Sequence, residues 1–262
     1  MNKLKIYQID AFTDKVFGGN PAAVCVLEDW LPDTLMQSIA TENNLAETAF
    51  LVKVNEQYHI RWFTPTVEVD LCGHATLASA HVLYEFGFET APKIQFYSHR
   101  SGELPVEKTE DLYTLDFPAD SITEIELPVE LSLSFSKKPL KVYKGKTDYM
   151  LVFENEETIK ALAMDFEKLA KADCRGVIVT AKGNSVDFVS RFFAPQSGIN
   201  EDPVTGSAHT TLTPYWANRL NKTNLTAMQV SKRGGHLKVS NEKQRVKISG
   251  KAVTYLVGEI FL

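Results

Sequence analysis

The sequence is short of cysteine, of net basic charge and of long apolar runs, and each shortage removes a class of protein. Three cysteines, Cys25, Cys72 and Cys174, are too few and too scattered along 262 residues for a disulfide framework. Lys and Arg number 28 against 33 Asp and Glu, a formal net charge of -5, so nothing global attracts nucleic acid or an anionic membrane. No apolar run approaches the roughly 18–20 residues that cross a bilayer. Residues 1–10 lack the apolar core of a signal peptide and run straight into a strand-like pattern. The expectation is a cytoplasmic chain with reduced thiols and neither a nucleic-acid nor a membrane partner. With 44% of residues apolar and 23% charged, the composition is that of a globular protein. The length suits one large domain or two of ordinary size.

Several chemical motifs are missing as well. No Gly-x-Ser-x-Gly element is present, and no dinucleotide fingerprint follows a strand. Gly18-Gly19-Asn20-Pro21 reads as a turn. Gly145-Lys146-Thr147 has the ending of a phosphate-binding loop, but Leu140 stands where that loop needs glycine, and a strand pattern follows. Cys72 and His74 lack a second ligand pair at zinc spacing. Neither a cofactor nor a metal is expected.

What is present is an internal repeat. Arg61-Trp62-Phe63-Thr64-Pro65 is echoed by Arg191-Phe192-Phe193-Ala194-Pro195, and Gly73-His74-Ala75 by Gly206-Ser207-Ala208. Ser98, Arg100, Gly102, Leu104 and Val106 match Ser231, Arg233, Gly235, Leu237 and Val239 at one offset of 133, shared with the Gly73/Gly206 pair. The Arg-Phe-Pro block lies at an offset of 130, so the second half carries three extra residues between Pro195 and Gly206. The openings agree too, Leu4-Lys5-Ile6-Tyr7 with Leu140-Lys141-Val142-Tyr143. An ordered series at nearly one offset implies a duplicated unit. The halves are read as 1–120 and 135–262, leaving open a final strand that packs onto the first half. The proline-bearing segment 118–139 is read as the crossing between them.

Period-two alternation marks strands at Tyr58-Ile60-Trp62, Tyr113-Leu115-Phe117 and Val186-Phe188-Ser190-Phe192. The spacing predicts a helix over 33–43, opened by Pro32 and Asp33, and a counterpart over 156–172. A third helix over 74–86 is apolar on more than one face and rich in small residues, so it is expected to be buried. Pro214 is expected to kink or restart the helix that follows Gly206. The fold class is therefore α+β, many short strands wrapped about a central helix, twice over.

Gly73-His74 and Gly206-Ser207 stand just before helices, whose N-termini present unpaired N–H groups and partial positive charge. Glycine admits a ligand close to that backbone. Two such N-termini facing one another across a cleft between the halves would hold a small carboxylate; two helices with nothing bound is the plainer alternative. Glu47 joins a helix to the apolar stretch 49–54, and a partly desolvated acid there is a candidate general base, or else a surface glutamate. Asp202 is either a third polar participant or a turn residue. His74 gains weight only from its place beside Gly73.

Together these residues look familiar. Asp10-Ala11-Phe12-Thr13, Gly18-Gly19-Asn20-Pro21-Ala22-Ala23-Val24, Asn44-Leu45-Ala46-Glu47-Thr48-Ala49-Phe50, Cys72-Gly73-His74-Ala75-Thr76 and the run from Asn200 to His209 resemble the phenazine-biosynthesis-F-like family, in its order and spacing. The resemblance implies a diaminopimelate-epimerase-like fold of two pseudo-symmetric halves, each a mixed barrel-like sheet around a central helix. It further implies an isomerase that needs no cofactor, similar to the one acting on trans-2,3-dihydro-3-hydroxyanthranilate. Glu47 matches the glutamate that moves the proton, and His74 and Asp202 its polar neighbours. Gly73, Gly206, Ser207 and Asn20 match the substrate-contacting set. A small carboxylate-bearing substrate and a homodimer are expected by the same route. The rivals are a cysteine-based epimerase or racemase, and a non-catalytic metabolite-binding protein. The first is weakened because Thr205 stands at the register of Cys72, and a two-base inversion needs a base on each face of the carbon.

Overall fold

Strand β1 (Lys3–Ala11) and strand β2 (Asn20–Leu27) form the first hairpin of the computed structural model, which describes residues 3–262. Met1 and Asn2, the start of the stretch read above for a signal segment, lie outside the described residues. The turn before β2 is made by Gly18 and Gly19. At Gly19, with φ +59°, a Cβ would lie 2.0 Å from the Ala11 carbonyl oxygen, so only glycine fits. Asn20 is therefore not part of that turn: it already pairs with Ala11 as the first residue of β2.

Helix α1 (Asp33–Asn43) spans the expected residues. Pro32 precedes it, Asp33 supplies first-turn negative charge, and Asn44 in the left-handed region ends it with its N–H on the Ala40 carbonyl. Beyond it come β3 (Glu47–Val54), β4 (Gln57–Phe63) and β5 (Glu68–Val69), then α2 (Gly73–Glu85), β6 (Lys93–Ser98), β7 (Gly102–Thr109) and β8 (Leu112–Pro118). The parallel pairs β2/β3 and β4/β6 each need a crossover, which α1 and α2 supply. Every residue of α2 from 74 to 83 is buried, matching its all-round apolar sequence, and it packs against β1, β2 and β3. Met36, Ile39 and Ala40 of α1 cover Ala23, Cys25, Phe50 and Val52. Each fully buried aliphatic or Met side chain of this kind is worth about 1.5–3 kcal/mol.

The remainder repeats this order. The elements are β9 (Thr123–Glu124), α3 (Val129–Ser132), β10 (Lys141–Lys144), β11 (Asp148–Val152), α4 (Glu156–Ala161), α5 (Phe166–Leu169), β12 (Gly176–Lys182) and β13 (Phe188–Ala194). They are followed by β14 (Ile199–Asp202), α6 (Gly206–Leu220), β15 (Asn224–Gln229), β16 (Gly235–Asn241), β17 (Arg245–Gly250) and β18 (Ala252–Phe261). The parallel pairs are now β11/β12 and β13/β15, bridged by α4–α5 and by α6. Two compact units result: residues 1–116 with 248–262, and residues 117–247. The last strand, β18, pairs along β1 and so belongs with the first unit. No helix among the described residues is long and apolar enough to cross a membrane.

Two expectations fail locally. The helix over 156–172 is two short helices, because Leu162 turns extended and Asp165 caps a new start by accepting from the Lys168 N–H. Between them Ala163 and Met164 pair with Ser136 and Phe135 instead. Helix α6, in turn, does not restart at Pro214. Proline leaves the Thr210 carbonyl without its helical donor, and the Asp120 N–H fills that place at 3.1 Å.

Candidate active site

Each unit aims its longest helix by the same device. Arg61 on β4 makes a bidentate pair with Glu68 on β5, both contacts 2.8 Å, and Arg191 on β13 does the same with Glu201 on β14, at 2.7 and 2.9 Å. Bidentate pairs fix orientation as well as distance. They pin the short strand that leads into the helix, so the Arg of the repeated block is structural. The three extra residues of the second half fall between Arg191 and Glu201, where a 3-10 turn, Pro195–Ser197, closes on left-handed Gly198.

Both helices then start alike. Cys72 and Thr205 are their extended N-cap residues, neither helix start receives a side-chain cap bond, and neither first turn carries an acid. The positive end of each helix dipole is thus left unneutralised by its own helix.

At the start of α2 the structure brings four of the candidate residues together: Gly73, His74, Glu47 and Asn20. Glu47 opens β3 beside Ala22, and one of its carboxylate oxygens lies 3.1 Å from His74 Nε2. The His74 side chain is 6% exposed and that of Glu47 13%, so the pair sits in a largely dry pocket. Asn20, wholly buried, brings its amide nitrogen to 3.1 Å from His74 Nδ1, on the other side of the ring. An amide serves both charge states, donating through nitrogen to a neutral ring or accepting through oxygen from an imidazolium. Burial opposes charge on His74, but the Cys72 sulfur and the Glu47 carboxylate outweigh it and hold the pKa well above its usual 6.5. Cys72 Sγ lies 3.5 Å from Nδ1, and burial, with the nearby Glu47 charge, pushes that thiol up to about 11. The three donor atoms lie within 4.8 Å of one another. They flank the imidazole on opposite sides, however, so one ion using Nδ1 would face away from the carboxylate.

At the start of α6 stand Asp202, Gly206 and Ser207. Gln229, fully buried, accepts from the Thr205 N–H at 3.0 Å and donates to the Asp202 carbonyl at 2.7 Å, holding the turn before the helix. The Thr205 hydroxyl donates to the Asp202 carboxylate, so Asp202 orders this turn from its place at the end of β14. Ser207 accepts from Arg175, which is clamped by the buried carboxylate of Asp148. Neither Arg175 nor Asp148 emerges from sequence spacing. Strand pairing, Thr48 opposite Phe63 and Val177 opposite Phe193, sets Gly176 at the place of Glu47 and Arg175 one residue before it, a match that the sequence offset of 130 does not give.

The comparisons agree over the whole length. A family profile described as phenazine biosynthesis-like protein matches residues 9–258. A Pseudomonas aeruginosa protein named an uncharacterized isomerase is 53% identical, with 99% of each chain covered. The crystal structure of a phenazine biosynthesis protein of the PhzF family from Enterococcus faecalis superposes with a TM-score of 0.96 at 49% identity, covering 100% of both chains. A probable proline racemase from Agrobacterium radiobacter shares the fold alone, with a TM-score of 0.67 at 8% identity over 99% of this chain and 93% of that one. A sheet-rich α+β chain with an epimerase-like fold, matched over residues 9–258 by one profile, belongs to the phenazine biosynthesis-like (PhzC–PhzF) family.

Proposed function

We propose that the protein is a cofactor-independent isomerase that moves a proton along a small, carboxylated, conjugated compound. The observation that carries this reading is the contact of 3.1 Å between Glu47 and His74, under the uncapped N-terminus of α2. A carboxylate takes up a proton and an imidazolium gives one up, and the Glu47 carboxylate 3.1 Å from Nε2 favours the charged form of the ring. Glu47 removes a proton from a carbon made acidic by conjugation to a carboxylated double bond. The C–H electron pair shifts into the conjugated system, and the negative charge spreads to the substrate carboxylate. A proton then bonds to a carbon further along, delivered by Glu47 itself or by His74. No electron is gained or lost overall. Uncapped helix N–H groups at Gly73 and Gly206 and the Ser207 hydroxyl are assigned to the developing charge. Asn20 keeps the His74 ring in place.

A cysteine-based epimerase is disfavoured, because a thiol at about 11 is protonated near pH 7 and its counterpart is Thr205. A binding module needs no acid against a histidine. The test is deuterium incorporation at carbon from deuterated water across a panel of carboxylated dihydroaromatic and amino acids. Glu47→Gln should lower it by about 10²–10⁴. Undiminished exchange in that variant removes Glu47 from the chemistry, and anion binding without exchange by the wild type would favour a binding protein.

A further inference from the structure

The hydroxyl of Ser207 has a defined polarity. Its oxygen accepts from an Arg175 NH group at 3.0 Å, and among the described residues nothing accepts its own proton. Arg175 is fixed on three sides: Nε donates to the Asp148 carboxylate at 2.9 Å, a second NH group donates to the other oxygen of that acid, and the guanidinium lies 5.4 Å over the Phe192 ring. Asp148 is 3% exposed, so the anchor is rigid and largely dry. Partial desolvation works against charge on Arg175, whose side chain is 41% exposed, but hydrogen bonding to Asp148 outweighs it and holds the pKa above its usual value, with Asp202 and Asp120 adding to the effect. A hydroxyl whose lone pair is taken by a cation must turn its proton the other way. Ser207 is the second residue of α6, a helix of 15 residues, so its hydroxyl stands at that helix's uncapped start.

We infer that Asp148 and Arg175 are positioning residues that turn the Ser207 O–H outward as a donor for the substrate carboxylate. The inference rests on the reading of the α6 start as the carboxylate site of the proposed reaction. Arg175 is assigned to act through Ser207, since Asp148 holds its Nε and one terminal nitrogen and the other terminal nitrogen donates to the serine oxygen. A carboxylate is favoured over a phosphate, because Asp148, Asp202 and Asp120 all act on the Arg175 guanidinium and would repel a dianion.

The test uses the full chain and benzoate as a plain carboxylate, with benzamide as its neutral analogue, followed by calorimetry. Wild type should bind benzoate and discriminate against benzamide. Ser207→Ala and Arg175→Gln should each weaken benzoate about tenfold, the order of one hydrogen bond to a charged group. The double variant should lose no more than either alone, because both changes remove the same donor. In turnover, Arg175→Gln should lower kcat/KM by about the same tenfold factor as Ser207→Ala, and the double variant by no more. The Asp148→Asn/Arg175→Gln double variant avoids an unpaired buried acid, and it should show the same loss of benzoate with its fold intact. Additive losses, an unchanged Arg175→Gln, or no benzoate binding by the wild type would each overturn the inference. Glu47→Gln should keep benzoate affinity while losing exchange. Exchange persisting in that variant would sink the isomerase reading and leave the benzoate result to decide the Ser207 assignment.

Discussion

The start of α2 and the start of α6 are built on one plan and carry different side chains. Each follows an extended N-cap residue, opens with glycine and lacks a capping side chain. Register makes the next comparison firm: Thr48 faces Phe63 across β3 and β4, as Val177 faces Phe193 across β12 and β13. Glu47 and Gly176 therefore hold matching places. In the second unit the ring of Phe192 occupies the space, for a Cβ on Gly176 would sit 2.3 Å from it. One helix start has two titratable groups in contact. The other has a hydroxyl that accepts from Arg175, itself paired with Asp148. Proton transfer needs groups that change charge near working pH, whereas anion binding needs groups that do not. The difference teaches that one plan can set a titratable pair at one helix start and an ion pair at the other by changing the residue beside each glycine and the residue that opens the neighbouring strand.

The largest expected effect comes from making the first unit resemble the second. His74→Ser and Glu47→Gly should each lower deuterium exchange by about 10²–10⁴, the usual worth of a positioned acid or base. Thermal melts accompany the rates, so that lost packing is separated from lost chemistry. Exchange near the wild-type level in His74→Ser would leave Glu47 acting alone.

The next experiment probes where the units behave alike. His81 in α2 bonds Tyr113 and Thr254, His209 in α6 donates to the Thr205 carbonyl, and burial pushes both down to about 4. In the unfolded chain each titrates near 6.5. Between those values the unfolded state binds more protons, so the stability they contribute is complete above 6.5 and is lost as pH falls toward 4. Each contributes a slope of up to about 1.4 kcal/mol per pH unit within that window. Denaturant titrations from pH 7 to 4 should show that slope, reduced by one proton in His209→Gln and again in the double variant with His81→Gln. The His74–Glu47 pair acts oppositely, since stability from a raised histidine is present below 6.5 and fades as pH rises through its folded value.

A stability test targets the filled place in the second unit. Gly176→Ala drives a methyl into the Phe192 ring and should cost about 1–3 kcal/mol, the range for an overpacked core. Phe192→Leu added to it should recover part of that loss. An unchanged melting temperature for Gly176→Ala would mean that the ring moves freely, and that the missing acid is not explained by lack of room.

Much of this was legible in the sequence, for identifiable reasons. Helix α1 carries its own start and stop in Pro32, Asp33 and Asn44, and α2 announces its burial through small residues on every face. Glu47, His74 and Gly73 were visible because local motifs hold them within a few residues of an element boundary. The misses depended on long-range partners. Nothing near Pro214 reveals that the Asp120 N–H will satisfy the Thr210 carbonyl, and nothing within 156–172 reveals that Ser136 and Phe135 will pair with 163–164. Arg175 and Asp148 lie 27 residues apart, on elements whose pairing fixes their meeting. The role of Asn20 as the neighbour of His74 spans 54 residues and could not be read from either motif alone.

The smallest expected effect is the most discriminating. Cys72 stands against His74 at the N-cap of α2, where a thiolate would serve as one base of a stereoinversion. Burial pushes its thiol up to about 11, which leaves on the order of one molecule in 10⁴ as thiolate near pH 7. Across the register, the Thr205 hydroxyl is committed to Asp202 and supplies no second base. Cys72→Ser keeps the size and a polar hydrogen beside Nδ1, so exchange should stay within about threefold of wild type, well short of the 10²–10⁴ worth of a general base. The alkylation rate of the wild-type thiol should rise with pH toward a midpoint near 11 rather than the ordinary cysteine range. A loss of roughly a hundredfold in Cys72→Ser, on the scale of a missing acid or base, would put sulfur among the reacting atoms and make α2 the half-site of an epimerase.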